Sequence, residues 1–137
     1  MGRGLVVRGK VKAIHLVFLL LASSAIARPF PERLGICYGF KGNDLFLHAP
    51  CIISAGYGAG AQYVSLTVEK TTFYIEYPNI RPNMIPTING KAAILYQRDA
   101  SFFQVLTGQP MKGESYLDCT KSTDGKVNIC YFDPSIK

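Results

Sequence analysis

The sequence predicts a small all-β domain, an antiparallel sandwich or barrel stabilised by two disulfides. Apolar and polar residues alternate with period two in several short runs, with β-branched and aromatic residues at the apolar positions. Gly, Asn, Asp and Pro break these runs at close intervals. All four cysteines, Cys37, Cys51, Cys119 and Cys130, follow an export-type leader, and an even count in an exported chain reads as two bridges.

The leader is residues 1–27. Arg3, Arg8, Lys10 and Lys12 form a basic head without acids. Ala13 to Ala27 is then a run of 15 largely apolar residues ending in Ala25-Ile26-Ala27. This is the pattern of a secretory signal cleaved after Ala27. A spanning helix takes about 20 residues, so no stable membrane insertion is expected after cleavage. Residues 28–137 form the single exported β domain, of a size that one modest core can stabilise. Location is therefore periplasmic or secreted. Of the 15 basic residues four lie in the leader, and none of the 9 acids does, which leaves eleven against nine, a net +2. The basicity belongs to the targeting segment. No Lys/Arg cluster remains for a nucleic-acid partner.

Along the domain, "RPFPERL" (28–34) reads as a loose arm. "GICYGF" is a strand, "KGND" a turn and "LFLHA" a second strand. In "YVSLTVEKTTFYIEY", Val64, Leu66 and Val68 alternate with polar residues, as do Phe73, Ile75 and Tyr77. A turn at Lys70-Thr71 sets Val68 opposite Phe73, Leu66 opposite Ile75 and Val64 opposite Tyr77. "YPNIRPNMIP" spaces three prolines four apart, an extended surface segment or edge. Asn89-Gly90 marks a type I′ hairpin. A strand follows over Ala92–Gln97, then a bend at Arg98-Asp99 and a strand or short helix over Phe102–Leu106. "TGQPMKGES" is a loop. The last seventeen residues of strand character, "YLDCTKSTDGKVNICYF", form a hairpin turning at Asp124-Gly125. A two-residue turn there sets Cys119 opposite Cys130 at a hydrogen-bonded position, where the Cα atoms stand further apart; a bulge with Gly125 in the left-handed region shifts that pairing. The bridges expected are Cys37–Cys51 and Cys119–Cys130, each joining neighbours in sequence.

The sequence offers little chemistry. No C-x-x-C pair occurs, and His48 is the sole histidine of the domain, so neither a metal site nor a cofactor is expected. A Ser-His-Asp arrangement would depend on His48, with Asp44 four residues before it; the plainer reading is a strand residue. Glu69, Glu76, Asp99, Glu114 and Asp118 are sparse, as in solvated turns and strand faces.

The stretch "SAGYGAGAQY" (54–63) lacks the Gly-Lys-Ser/Thr end of a phosphate loop, and a strand follows it rather than a helix. Gly56, Gly58 and Gly60 suit a close-packed bend. A second reading has the loop present Tyr57, Gln62 and Tyr63 to a partner. Tyr74 and Tyr77 extend the set of aromatics that line a recognition face or cover the barrel's ends. "AGAQY" resembles the S-G-x-R-Y-type loop of periplasmic inhibitors of C-type lysozyme, which are small exported β-barrels. Ala59 stands where that loop has its serine, Gln62 where it has a basic residue, and the second motif of those inhibitors, Lys-Gly-Glu-Ala, is missing.

The expected function is an exported, non-enzymatic binding or inhibitor-like protein of the cell envelope, whose partner is a protein or an envelope polymer. The alternatives are a small hydrolase using paired carboxylates on envelope polymers, and a structural subunit of an assembly.

Overall fold

The computed structural model describes residues 28–58, 60–78 and 84–135. The expected leader lies outside them, as do residues 79–83 of the proline-spaced segment. Nine strands follow one another: β1 (Arg28–Pro29), β2 (Arg33–Lys41), β3 (Asp44–Gly58), β4 (Ala61–Val68), β5 (Thr71–Pro78), β6 (Thr87–Ile88), β7 (Lys91–Asp99), β8 (Tyr116–Ser122) and β9 (Asn128–Phe132). Every pairing is antiparallel. The order runs β3-β2-β9-β8-β7-β6-β5-β4, and β4 pairs with β3 again, so eight strands close a barrel. β1 pairs with Gly56 and Tyr57 on the edge of β3 that β2 uses further back, so it continues β2 in line. The loose arm expected over residues 28–34 is thus partly strand: at 28–29 and again from Arg33 the backbone finds partners on β3.

The long β3 makes the closure possible. Residues 44–53 pair with β2 and residues 52–58 pair with β4. Much of the Gly-rich stretch is therefore regular strand, and the expected bend is confined to one turn. Gly58 lies opposite Ala61, and Gly60 takes φ +79° there, a value that costs glycine nothing. The Asn89-Gly90 hairpin forms as expected, with φ +50° and +76°, the signs that a type I′ turn requires.

Two sequence-based registers need correction. Between β4 and β5 the turn is Glu69-Lys70, so Val68 faces Thr71, Leu66 faces Phe73 and Val64 faces Ile75. The slip is two residues, and because side chains alternate with period two the buried face is unchanged. In the last hairpin Ser122 N donates to Val127 O (2.8 Å) across four turn residues, and Gly125 has φ +72°. Counting from that bonded pair puts Cys119 opposite Cys130 at a non-hydrogen-bonded position. Their Cα atoms are 4.0 Å apart, as the closer kind of pair requires. The other bridge, Cys37–Cys51, is diagonal: Cys37 lies opposite Ala49, and Cys51 opposite Gly35.

The lumen is filled by Cys37, Cys51, Ile53, Ala55, Val64, Leu66, Val68, Ile75, Ile88, Ala93, Ile129 and Tyr131. A second cluster, Tyr38, Phe40, Leu117, Cys119 and Cys130, sits on the opposite face of β2, β8 and β9, covered by Ala100 and Phe103. The chain reaches that position because β7 runs straight through the expected bend at Arg98-Asp99. Residues 103–106 then fold back on it, with Asp99 N donating to Gln104 O and Leu106 N to Gln97 O. Phe103 has φ +59°, and Arg98 makes an isolated bridge with Val105, in place of the strand or helix expected over 102–106. Buried Arg98 fastens the fold-back. Its guanidinium lies 4.1 Å from the Phe40 ring centre and donates to Phe103 O (2.7 Å), Gly42 O (2.9 Å) and the Tyr96 hydroxyl (3.2 Å).

Candidate binding cleft

β6 is two residues long, and its shortness opens the barrel wall. On one side it pairs with Ile75 and Glu76, on the other with Lys91 and Ala92, and Pro86 O accepts from Ala93 N. Beyond it β5 runs on to Pro78 and β7 to Asp99, with no strand between them among the described residues. Pro78 lacks the N–H that further pairing would need. From Gln97 onward the fold-back covers the edge of β7. Between these ends a cleft of about 600 Å³ leads into the lumen.

Two rows of lumen-facing residues meet in it. On β4 and β5, Gln62 lies opposite Tyr77. On β7, β8 and β9, Gln97 lies opposite Asp118 and Asp118 opposite Tyr131. Residues directly opposite one another project from the same face, so side chains nearly seventy residues apart in sequence converge. Val64 and Leu95 supply apolar wall, and Leu106 and Gln109 form the lip.

Gln97 Nε2 donates to Asp118 Oδ1 at 3.1 Å. Burial pushes the Asp118 carboxyl above the ordinary aspartate range, and the bond from Gln97 offsets only part of that. Burial also raises both phenols. For Tyr131 the neighbouring Tyr77 and Asp118 add to the effect, whereas for Tyr77 a hydrogen bond shared with Tyr131 opposes it. Both tyrosines therefore remain neutral hydroxyls at neutral pH.

A second hollow, about 690 Å³, lies across the loop from Gln109 to Tyr116 and shares Gln97, Gln109, Asp118 and Tyr131 with the first. Its other acids are engaged. Glu114 accepts from Met111 N (3.0 Å). Burial pushes Asp133 up, but hydrogen bonds from Ser135 Oγ and N and from Arg33 Nε (2.7 Å) outweigh it, and the carboxyl titrates below the usual range.

The three residues expected to bind a partner do not gather at one place. Gln62 lines the cleft. Tyr57 lies opposite Gln62 in register but at the rim, half exposed, its ring edge-on to Phe30 at 5.5 Å. Tyr63 points to the other face and stacks on Tyr74 at 5.6 Å. Among the aromatics weighed with them, Tyr77 is the one in the cleft. His48 stacks on Tyr38, and Asp44 stands four strand positions before it, about 13 Å along the chain. Of the five acids considered, Glu69 occupies a turn, Glu76 is exposed on the outside, and Asp99 accepts from the Ser101 and Phe102 amides. Asp118 alone lines the first cleft.

The sequence reading missed Gln97, Tyr131, Leu106 and Gln109 as site residues, and it named Asp118 only among acids expected on solvated turns and strand faces. One signal was present: a hairpin centred on Asp124-Gly125 sets Asp118 opposite Tyr131 by counting alone. No cluster of three metal-ligating side chains occurs among the described residues, and no described helix is long and apolar enough to cross a membrane. Comparison with protein-family models, curated proteins and solved structures finds no match for this chain.

Proposed function

We propose that this chain is an exported, non-enzymatic binding protein of the cell envelope, and that it takes hold of its partner through the cleft between β5 and β7. The observation that carries the reading is the cleft itself. It is an opening of ligand size in an otherwise closed wall, with apolar sides and a few convergent polar groups. Two bridges are compatible with the oxidising compartment to which the leader points. A carboxylate-dependent hydrolase needs two acids flanking one bond, and the described lining of this cleft holds only Asp118.

The test is capture from an envelope fraction by the immobilised, oxidised protein, compared with its Gln62→Ala and Leu106→Ala variants. A partner retained by the parent and lost by both variants supports the reading. Retention of the same partner by every form would place recognition elsewhere. N-terminal sequencing of protein recovered from the envelope or the medium should begin at Arg28; an intact Met1 there would remove the export argument.

A further inference from the structure

We infer that the cleft binds a protonated primary amine carried on an aliphatic stem, with the ammonium at Asp118 and the stem along Leu95 and Leu106. The inference rests on the binding reading above and specifies its chemistry. Among the described residues lining the cleft the only formal charge is negative: Asp118, with no Lys, Arg or His beside it. The two described ion pairs, Arg33–Asp133 and Lys91–Asp124, do not involve it. Among the described residues lining the adjoining hollow Lys112 is the one cation, and it forms no ion pair with a described residue.

A half-enclosed carboxylate held by a single neutral donor is poorly compensated, and a cation entering the cleft would restore what burial takes away. The surrounding groups suit an ammonium better than an anion. Its three N–H bonds need acceptors, and the Asp118 carboxylate together with the Gln62, Gln97 and Gln109 amide oxygens can supply them. A phosphate or carboxylate would meet like charge and no cation. A neutral polyol would donate hydroxyl hydrogen bonds to the carboxylate but bring no opposite charge to it. Val64, Leu95 and Leu106 then provide apolar contact for methylenes.

The experiment is an amide-resolved NMR titration of the protein with both bridges intact. The probes are n-pentylammonium and Nα-acetyl-lysine amide, with 1-pentanol and Nα-acetyl-norleucine amide as uncharged counterparts. The expected result is saturable shifts at residues 95–97, 106–109 and 117–119 with the amines and not with the uncharged pair. Asp118→Asn should weaken that binding about tenfold or more, as loss of a charge-assisted hydrogen bond does. Leu106→Ser should weaken it less. Binding of both amines, or of either alone, supports the inference, and the pattern tells a free amine from a lysine side chain. Equal shifts from the uncharged probes, or undiminished amine binding by Asp118→Asn, would overturn the amine chemistry while leaving the cleft as a binding site. No response to any probe overturns it as well. The capture experiment then decides whether the cleft still serves as the recognition site.

Discussion

The two halves of the barrel lumen are built from the same alternating strands and end in opposite chemistry. Towards the Glu69-Lys70 and Asn89-Gly90 turns the lumen is packed with Leu66, Val68, Ile75, Ile88 and Ala93. Beyond the end of β6 the equivalent positions on the same strands carry Gln62, Tyr77 and Gln97, with Asp118 and Tyr131 beside them. The difference follows from the wall. Where β6 bridges β5 and β7 the backbone is paired on both sides and water is shut out, so the lumen there is mostly apolar, and a buried polar group such as Ser122 has its hydrogen bonds within the fold, donating to Asp124 Oδ1 and accepting from Val127 N. Where β6 stops, solvent reaches the lumen, and inward-facing positions hold groups that water or a ligand can satisfy. A two-residue strand thus decides which half is core and which half is site.

The largest effect should come from the sealed half. Leu66 is fully buried at its centre, and Leu66→Ala should cost roughly 2–5 kcal/mol. Urea unfolding at neutral pH measures it; a loss well under 1 kcal/mol would mean that this half is not the stability core. Removing the Cys37–Cys51 bridge by a double Cys→Ala substitution comes next. The bridge spans 14 residues beside the same packing, and by the chain-entropy account its loss should cost about 3 kcal/mol. Native-like ligand shifts at residues 95–97 in that variant would show that the cleft keeps its shape without the bridge.

In the open half the sign should reverse. The Asp118 carboxyl lies above its ordinary value of 3.8 in the fold because it is buried. An acid raised in this way binds its proton more tightly when folded. Its contribution to stability is therefore fully present below the unfolded value and is lost as pH rises through the folded one. Asp118→Asn keeps a group that can accept the bond from Gln97 and removes the charge. It should stabilise the protein at pH 7 and leave it nearly unchanged at pH 3. Unfolding midpoints at the two pH values check this. Destabilisation at pH 7 would mean that the charge is compensated in the fold, which would also weaken the case for an incoming cation.

This contrast marks the boundary of what the sequence reveals. Local chemistry is legible: Asn89-Gly90 dictates its turn, the Asp124-Gly125 hairpin brings Cys119 to Cys130, and the alternation from Val64 to Tyr77 names the buried face despite a two-residue slip. Closure is not legible, because the β3–β4 pairing depends on the Gly-rich stretch continuing as strand, while glycine-rich composition reads as a bend. β8 misleads for another reason. Its apolar residues Leu117 and Cys119 face the second cluster under the fold-back, and its polar alternates Asp118 and Thr120 face the lumen. Apolar-inside reasoning assigns them the other way round, and only the position of residues 99–106 corrects it.

The smallest effect sharpens the comparison within the open half. Gln62, Tyr57 and Tyr63 lie within seven residues of one another, yet the structure gives them three settings: cleft wall, rim and outer face. None is a core anchor. Tyr57 loses one edge-on contact with Phe30, and Tyr63 one stack on Tyr74, so each substitution to Ala should cost about 1 kcal/mol of stability. Gln62→Ala should cost no more than that. Their effects on binding should differ. Gln62→Ala removes an acceptor from the cleft and should weaken capture of the partner, whereas Tyr63→Ala, on the far side of the wall, should leave it unchanged. Tyr57→Ala separates the remaining possibilities. Unchanged capture confines recognition to the cleft, while a loss as large as that from Gln62→Ala extends it over the rim of the Gly60 turn. If Tyr63→Ala were instead the substitution that abolished capture, the outer face of β4 and β5 would be the recognition surface, and the open half of the lumen would have no part in it.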